Sequence, residues 1–304
     1  MSTMISANKL TKRYGSARGV DDVSFDVEGG ENVGFLGPNG AGKTTTIRIL
    51  LGLLRPTSGS ATIGGLDCWT QATGVKRLIG YLPAEFSFDA GLTGAQIIEY
   101  LSHLRGGVDQ GYLKVLVERL ELDPSKRFRE YSRGNKQKVG LVQAFMHRPR
   151  LLILDEPTNG LDPLNQQEFY RMLAEVKADG RTAFLSSHNL TEVEHTCDRV
   201  GIIREGQLVK VDSVHALKDI RRHEVEITFA TPAVADGFAG DAGVRSVSLD
   251  ETGRVVRLTV QGDLAAVLQT AARHEAVNLS AREPSLEEIF LRYYQPESAA
   301  GARR

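Results

Sequence analysis

VGFLGPNGAGKTTT, Val33–Thr46, is the stretch on which the reading of the fold turns. Val33 to Leu36 read as a short buried strand, and the run from Thr45 to Leu54 reads as a helix. Between them, Gly37 to Thr44 carry the spacing Gly-x4-Gly-Lys-Thr in the strand-then-helix setting that this spacing needs. The first N–H groups of a helix have no partner within it, and the helix dipole favours negative charge there. A glycine-rich turn that brings the backbone close therefore makes a phosphate cradle. In this reading Gly37, Pro38, Asn39, Gly40, Ala41 and Gly42 shape the loop, and Thr45 belongs to the helix start. Lys43 neutralises the β and γ oxygens of a nucleotide, and the Thr44 hydroxyl reaches Mg2+.

Outward from this loop, short apolar runs alternate with amphipathic stretches of helical length. LLILD precedes PLNQQEFYRMLAEVKADG, and TAFLSS precedes NLTEVEHTCDRV. Such alternation predicts parallel strands buried between helices, an α/β fold. The helix after Asp162 has a capping aspartate, Pro163 at its first position and Gly180 to close it, with Phe169, Met172, Leu173 and Val176 on its buried face. Thr93 and Gln96 predict a capping box at the start of another helix through Ile97, Ile98 and Leu101.

Composition narrows the function classes. The 304 residues include 41% apolar residues, enough for one large domain and a small one. A net charge of −1 gives no overall basic field, so nucleic acid is not expected as a partner. The two cysteines, Cys68 and Cys197, are too far apart in sequence for a C-x-x-C pair, and both are expected to be reduced. No run of about 18 apolar residues occurs, and the start of the chain lacks the apolar core of a signal peptide, so the chain is not expected to span a membrane by itself.

Two further motifs carry chemistry. LLILDEPTNGLD, Leu151–Asp162, delivers adjacent carboxylates to the C-terminal end of an apolar strand, where open α/β sheets bind ligands. Asp155 is placed to complete the magnesium site and Glu156 to polarise a water against a γ-phosphate. LSSHN, Leu185–Asn189, ends another strand with His188 on the same side. The other histidines, His103, His147, His195, His215, His223 and His274, have no such company and read as surface or core residues. A second helix start suited to anions lies in YSRGNKQKV, Tyr131–Val139.

With these motifs in this order, residues 4 to 218 resemble the nucleotide-binding subunit of an ATP-binding-cassette (ABC) transporter. The resemblance implies a P-loop NTPase fold of the ABC type, using ATP and Mg2+. YSRGN stands where that family carries Leu-Ser-Gly-Gly-Gln, and in the family two subunits dock head to tail, each ATP caught between one phosphate loop and the other subunit's signature. The two cradles of this chain then serve one nucleotide from opposite copies. The resemblance further implies that Tyr14 stacks on adenine, that Ser132 and the Gly134 N–H meet the γ-phosphate across the interface, and that Asp162 lets the subunits sense each other. It makes Glu156 the catalytic base and lets His188 hold the γ-phosphate and the attacking water.

Two departures stand out. Tyr131, Arg133 and Asn135 replace three signature residues, and Ala84 in IGYLPAEFSF occupies the place of a glutamine that links the metal site to the membrane partner, so either Glu85 shifts inward or water fills the position. The likeness implies an ATPase at the cytoplasmic face of the membrane, powering a separate permease through the loop Ala84 to Phe88 and the helix from Thr93, with export as the direction. Two other readings share parts of the pattern. A soluble ABC protein of translation or repair would carry two cassettes or a long coiled-coil insertion, and a P-loop GTPase would need an aspartate where Lys138 stands in NKQK.

Past about Leu217 the texture changes to strands and short helices in the order βαββαβα, which is that of a small ferredoxin-like α+β unit with an extra helix over SLEEIFLRYY. The expected division is a nucleotide-binding domain over 1–220 and an accessory dimerisation or regulatory domain over 221–304, with LKDIRRHE as the junction and SAAGARR as a disordered end.

Overall fold

The computed structural model describes residues 2–15, 17–218, 222–232 and 236–282. It divides into one unit over Met1–Ser213 and a second over Val214–Arg304, a few residues earlier than the boundary expected from composition. In chain order the first unit contains β1 (Thr3–Tyr14), β2 (Ala17–Glu28), β3 (Asn32–Leu36), α1 (Lys43–Leu50), β4 (Ser58–Ile63), β5 (Leu66–Asp67), α2 (Ala72–Leu78), β6 (Ile79–Leu82) and α3 (Gly94–Leu104). It continues with α4 (Gln110–Arg119), α5 (Arg133–Phe145), β7 (Leu151–Asp155), α6 (Pro163–Ala178), β8 (Thr182–Ser187), α7 (Leu190–Thr196), β9 (Arg199–Arg204) and β10 (Gln207–Ser213).

Six strands form the sheet that matters for function, in the order β10-β9-β3-β8-β7-β6. All are parallel except β10, which pairs antiparallel with β9 at one edge. Every residue of β3, β7 and β8 is buried, as expected for strands covered on both faces. Side chains along β7 and β8 alternate between two cores. Leu151, Ile153 and Phe184 join α1 and the antiparallel strands, whereas Leu152, Leu154, Ala183 and Leu185 join the helices α5 and α6. In the first core Phe25, Phe35 and Phe184 make a three-ring cluster with centroids 5.5 Å apart for each pair.

A second sheet, β2-β1-β4-β5, is antiparallel throughout and has no counterpart in the sequence reading. Its strands are half exposed, and register shifts break the period of two along the β1–β2 pair, where Lys9 of β1 and Asp22 of β2 take left-handed φ of 48° and 52°. Such strands contain no continuous apolar run.

Local signals set the ends of most helices. Thr93 and Gln96 form the expected capping box of α3. Asp162 caps α6, with Pro163 in its first turn and Gly180 just beyond its end at φ 70°. Helix α1 differs from the expected Thr45–Leu54: Gly42 at φ 111° ends the loop so that the helix opens at Lys43, and it stops at Leu50 ahead of Gly52 at φ 62°. The stretch NLTEVEHTCDRV is not one helix. Helix α7 stops at Thr196, because Arg199–Arg204 is a buried run that pairs with β3.

The second unit contains α8 (Val214–Lys218), β11 (Arg222–Phe229), α9 (Asp236–Ala239), β12 (Val244–Leu249), β13 (Val255–Gln261), α10 (Ala265–Arg273) and β14 (Ala276–Arg282). Its sheet has the order β12-β13-β11-β14 with every neighbour antiparallel. Phe229, Phe238, Leu258, Val260 and Val267 fill its own core. The final helix expected over SLEEIFLRYY and the SAAGARR end lie outside the described residues.

Phe184 is fully buried within the three-ring cluster. Phe184→Ala is expected to lower unfolding stability by about 3–5 kcal/mol in a denaturant titration, and a loss below about 1 kcal/mol would show that the cluster is not a core element.

Candidate functional site

Parallel pairing aligns the ends of three strands. Leu36 on β3 is opposite Ser187 on β8, and Asp155 on β7 is opposite Ser186. The phosphate-type loop, the paired acids and His188 therefore leave the sheet side by side at its C-terminal edge. Gly37 N–H donates to Ser187 O at 3.2 Å and ties the loop to β8. Within the loop Ala41 N–H donates to Pro38 O at 3.2 Å, whereas the N–H groups of Gly42, Lys43, Thr44 and Thr45 have no bonded acceptor among the described residues. Those are the orphan donors of a helix start, and they are free for an anion.

Lys43 is 6% exposed, and its ammonium donates to Gly37 O at 2.6 Å and Pro38 O at 3.3 Å. It also pairs with Glu156 Oε1 at 3.1 Å. The other oxygen of Glu156 lies 2.6 Å from His188 Nδ1, so one carboxylate bridges the loop lysine and the histidine. Asp155, buried beside it, accepts from Thr44 Oγ1 at 2.8 Å through Oδ2 and from the Ser186 hydroxyl through Oδ1.

Glu156 has a left-handed φ of 52°, which costs a non-glycine residue about 1–2 kcal/mol. Its N–H donates to Ser186 O and Oγ, both at 3.2 Å, and its carbonyl accepts from Gln137 Nε2 at 3.2 Å. The strain is thus held from both sides of the residue.

A cleft of about 400 Å³ opens over these groups. Of the expected residues, Tyr14, Pro38, Asn39, Gly40, Gly42, Lys43, Thr44, Thr45, Glu156 and His188 line it. Gly37, Ala41 and Asp155 adjoin it through the bonds just described. Tyr14 is 48% exposed at one end, with Lys12 Nζ 5.6 Å from its ring centroid. Ala84 and Glu85 both border the cleft.

The second anion-type helix start is built separately. Ser132 caps α5 by accepting from Asn135 N–H at 3.2 Å and is exposed. Neither Ser132 nor Gly134 lines the cleft, although Arg133 does. A Cβ on Gly134 would come within 2.4 Å of Gly160 O, so the first turn of α5 sits directly on the loop between Glu156 and Asp162. Tyr131 explains its own departure from the family pattern: its ring is buried edge-on to Phe128, and its hydroxyl donates to Asp123 O at 2.6 Å. Asp162 lies outside the cleft lining as the cap of α6, and bonds from the Asn165 N–H and side chain hold its carboxyl below the usual range.

Sequence reasoning missed Ser186, Gln137 and Glu192. Ser186 was legible in principle, lying on β8 two residues before His188, which follows the end of that strand. Glu192 is 1% exposed in the first turn of α7 and accepts from Ser187 Oγ at 2.5 Å. Burial pushes its carboxyl up to about 7 against the hydrogen bonds from Ser187 and Thr158, with the charge of Glu156 adding to the rise.

Comparisons with known proteins place the chain among ATP-binding-cassette proteins. The family described as "ABC transporter" matches residues 20–159. The chain is 41% identical over 229 residues to the bacitracin transport ATP-binding protein BcrA of Bacillus licheniformis, covering 74% of this chain and 75% of that one. It is 30% identical over 304 residues to the linearmycin resistance ATP-binding protein LnrL of Bacillus subtilis, covering 95% and 97%. Among solved structures, one titled as the ATP-binding subunit of an ABC transporter matches with a TM-score of 0.66 at 30% identity, over 71% of this chain and 92% of that one. The dimeric cassette MJ0796 shares the fold, with a TM-score of 0.64 at 21% identity, over 69% of this chain and 99% of that one.

The raised pKa of Glu192 carries a consequence for stability. Between about pH 4.5 and about 7 the folded chain keeps a proton there that the unfolded chain has released, so this group's contribution falls as pH rises through that window. Glu192→Gln removes the titration. The melting midpoint of the variant relative to wild type is expected to be higher near pH 8 than near pH 5, and equal differences at both would contradict a buried, protonated Glu192.

Proposed function

The chain belongs to the ABC transporter family as an ATP-binding subunit that hydrolyses ATP, and we propose that its residues work in a head-to-tail pair to power export by a separate permease. The observation that carries this reading is a divided site. Lys43, Thr44, Glu156 and His188 share one cleft, while Ser132 and Gly134 on the second anion-type helix start lie outside it. In this reading a second copy brings its Ser132 to the triphosphate held by Lys43.

The roles follow from the chemistry of each group. ATP approaches the free N–H groups of Gly42 to Thr45, and its phosphates compete with Glu156 for the Lys43 ammonium. Freed from the lysine, Glu156 becomes available as general base for the attacking water, with His188 holding that water and the γ-phosphate. Tyr14, on the rim, offers its exposed ring to adenine. Asp162 reports the state of one copy to the other from the cap of α6.

The donor set fits Mg2+. Thr44 and Asp155 supply hard oxygen atoms already 2.8 Å apart and too few to fill an octahedral shell, which leaves room for phosphate oxygens and water. The ion would neutralise charge on the β and γ phosphates. Thr44 and Asp155 would hold it, with Ser186 orienting the aspartate.

ATP joins two copies and hydrolysis releases them, so the nucleotide shifts the balance between closed and open pairs. Among the described residues no helix is long and apolar enough to cross a membrane. The likeness to transport ATP-binding proteins supports a peripheral place on the cytoplasmic face beside the permease. The permease is driven through Ala84 to Phe88 and α3. In the second unit, the order β12-β13-β11-β14 with βαββαβ connectivity supports the ferredoxin-like reading and a role as dimer brace or regulator.

Glu156→Gln is expected to lower turnover by about 10²-fold or more while an ATP-bound dimer accumulates in sedimentation; turnover at the normal rate would remove Glu156 as base. Lys43→Ala is expected to weaken binding of a fluorescent ATP analogue by at least about tenfold, and unchanged affinity would contradict its role as phosphate ligand.

A further inference from the structure

Gln137 lies on the second turn of α5 and is 4% exposed. Its Nε2 donates to Glu156 O at 3.2 Å and to Pro157 O at 3.0 Å. Both partners are carbonyl oxygens, so only the amide nitrogen satisfies them, and no carboxylate or aliphatic side chain of the same length replaces both bonds. The two carbonyls belong to the two consecutive peptides that follow the left-handed Glu156. Gln137 therefore clamps the one backbone segment whose conformation aims the Glu156 carboxylate.

The same helix begins at Ser132, and its first turn rests on Gly160 O with no room for a Cβ on Gly134. Ser132, Gly134 and Gln137 occupy two successive turns of one helix, so α5 moves as a unit against the segment from Glu156 to Gly160. A push on Ser132 reaches Glu156 through the Gln137 amide.

We propose that Gln137 is a positioning residue that couples the two nucleotide sites of the pair: when Ser132 engages the partner copy's ATP, Gln137 fixes the Glu156 of its own chain in the geometry for hydrolysis. This rests on the head-to-tail reading above. Gln137 does not line the cleft, and its amide bonds go to Glu156 O and Pro157 O and not to Lys43 or Thr44, so its loss is expected to fall on turnover and to spare binding.

The test uses the full chain with ATP and Mg2+. Gln137→Met keeps the length of the side chain and removes the donor. It is expected to lower kcat at least about tenfold with KM for ATP within about twofold of wild type. In a double-mutant cycle with Ser132→Ala, the pair is expected to fall within about twofold of the more damaging single variant, because both interrupt one route. Unchanged kcat in Gln137→Met, or independent effects that multiply in the double variant, would overturn the proposal. Gln137→Glu gives a second readout should the methionine variant fold poorly. A protonated carboxyl donates one bond and an ionised one none, so kcat of this variant relative to wild type is expected to rise as pH falls from about 8.5 to about 6, and a flat ratio would count against the donor. ATP-dependent dimerisation of wild type, followed by sedimentation, separates the two levels: its absence defeats the head-to-tail reading, whereas its presence with an unaffected Gln137→Met defeats only the coupling.

Discussion

The ion pair between Lys43 and Glu156 is the constraint on which the rest depends. An ammonium as buried as this one needs several oxygen partners, and it finds them in Gly37 O, Pro38 O and a carboxylate from a different strand. Bringing that carboxylate within reach requires β3, β8 and β7 to be adjacent and parallel, with their ends in register. The fold of the first unit can be understood as the scaffold that meets this requirement. Two cores, one under each face, fix the strands at this spacing.

In the proposed function the same pair links binding to catalysis. While Lys43 and His188 both hold Glu156, the carboxylate is committed to neighbours and not to a water molecule. A triphosphate offers the lysine more charge than one carboxylate does. In the proposed mechanism, nucleotide arrival and liberation of the base become one event. Glu156 keeps its aim afterwards because its strained backbone is fixed by Ser186 on one side and Gln137 on the other.

Most of the cleft was legible in the sequence because its parts are local. The phosphate loop, the acids after LLIL and the histidine after LSS are each written in a few consecutive residues at a strand end, and parallel pairing is enough to bring them together. Asp162, Pro163 and Gly180 bound α6 for equally local reasons. What escaped is non-local. Gln137 meets Glu156 only through tertiary packing, and nothing in NKQK marks it as a donor to a distant carbonyl. The half-exposed, irregular strands β1 and β2 escaped for want of a clean period, and the end of α7 because Arg199 and Val200 continue an amphipathic pattern into a strand. Ala84 shows the converse: its departure from the family pattern was visible at once, while the presence of Glu85 at the cleft needed the structure.

The central claim is that each ATP is completed by two copies. It is tested most directly by mixing Lys43→Ala with Ser132→Ala. Each variant alone spoils both sites of its own pair, but a mixed pair contains one site with Lys43 from one copy and Ser132 from the other intact. ATP hydrolysis in the mixture well above that of either variant alone is the predicted result. A mixture no more active than the sum of its parts, with mixed pairs shown to form, would contradict the account.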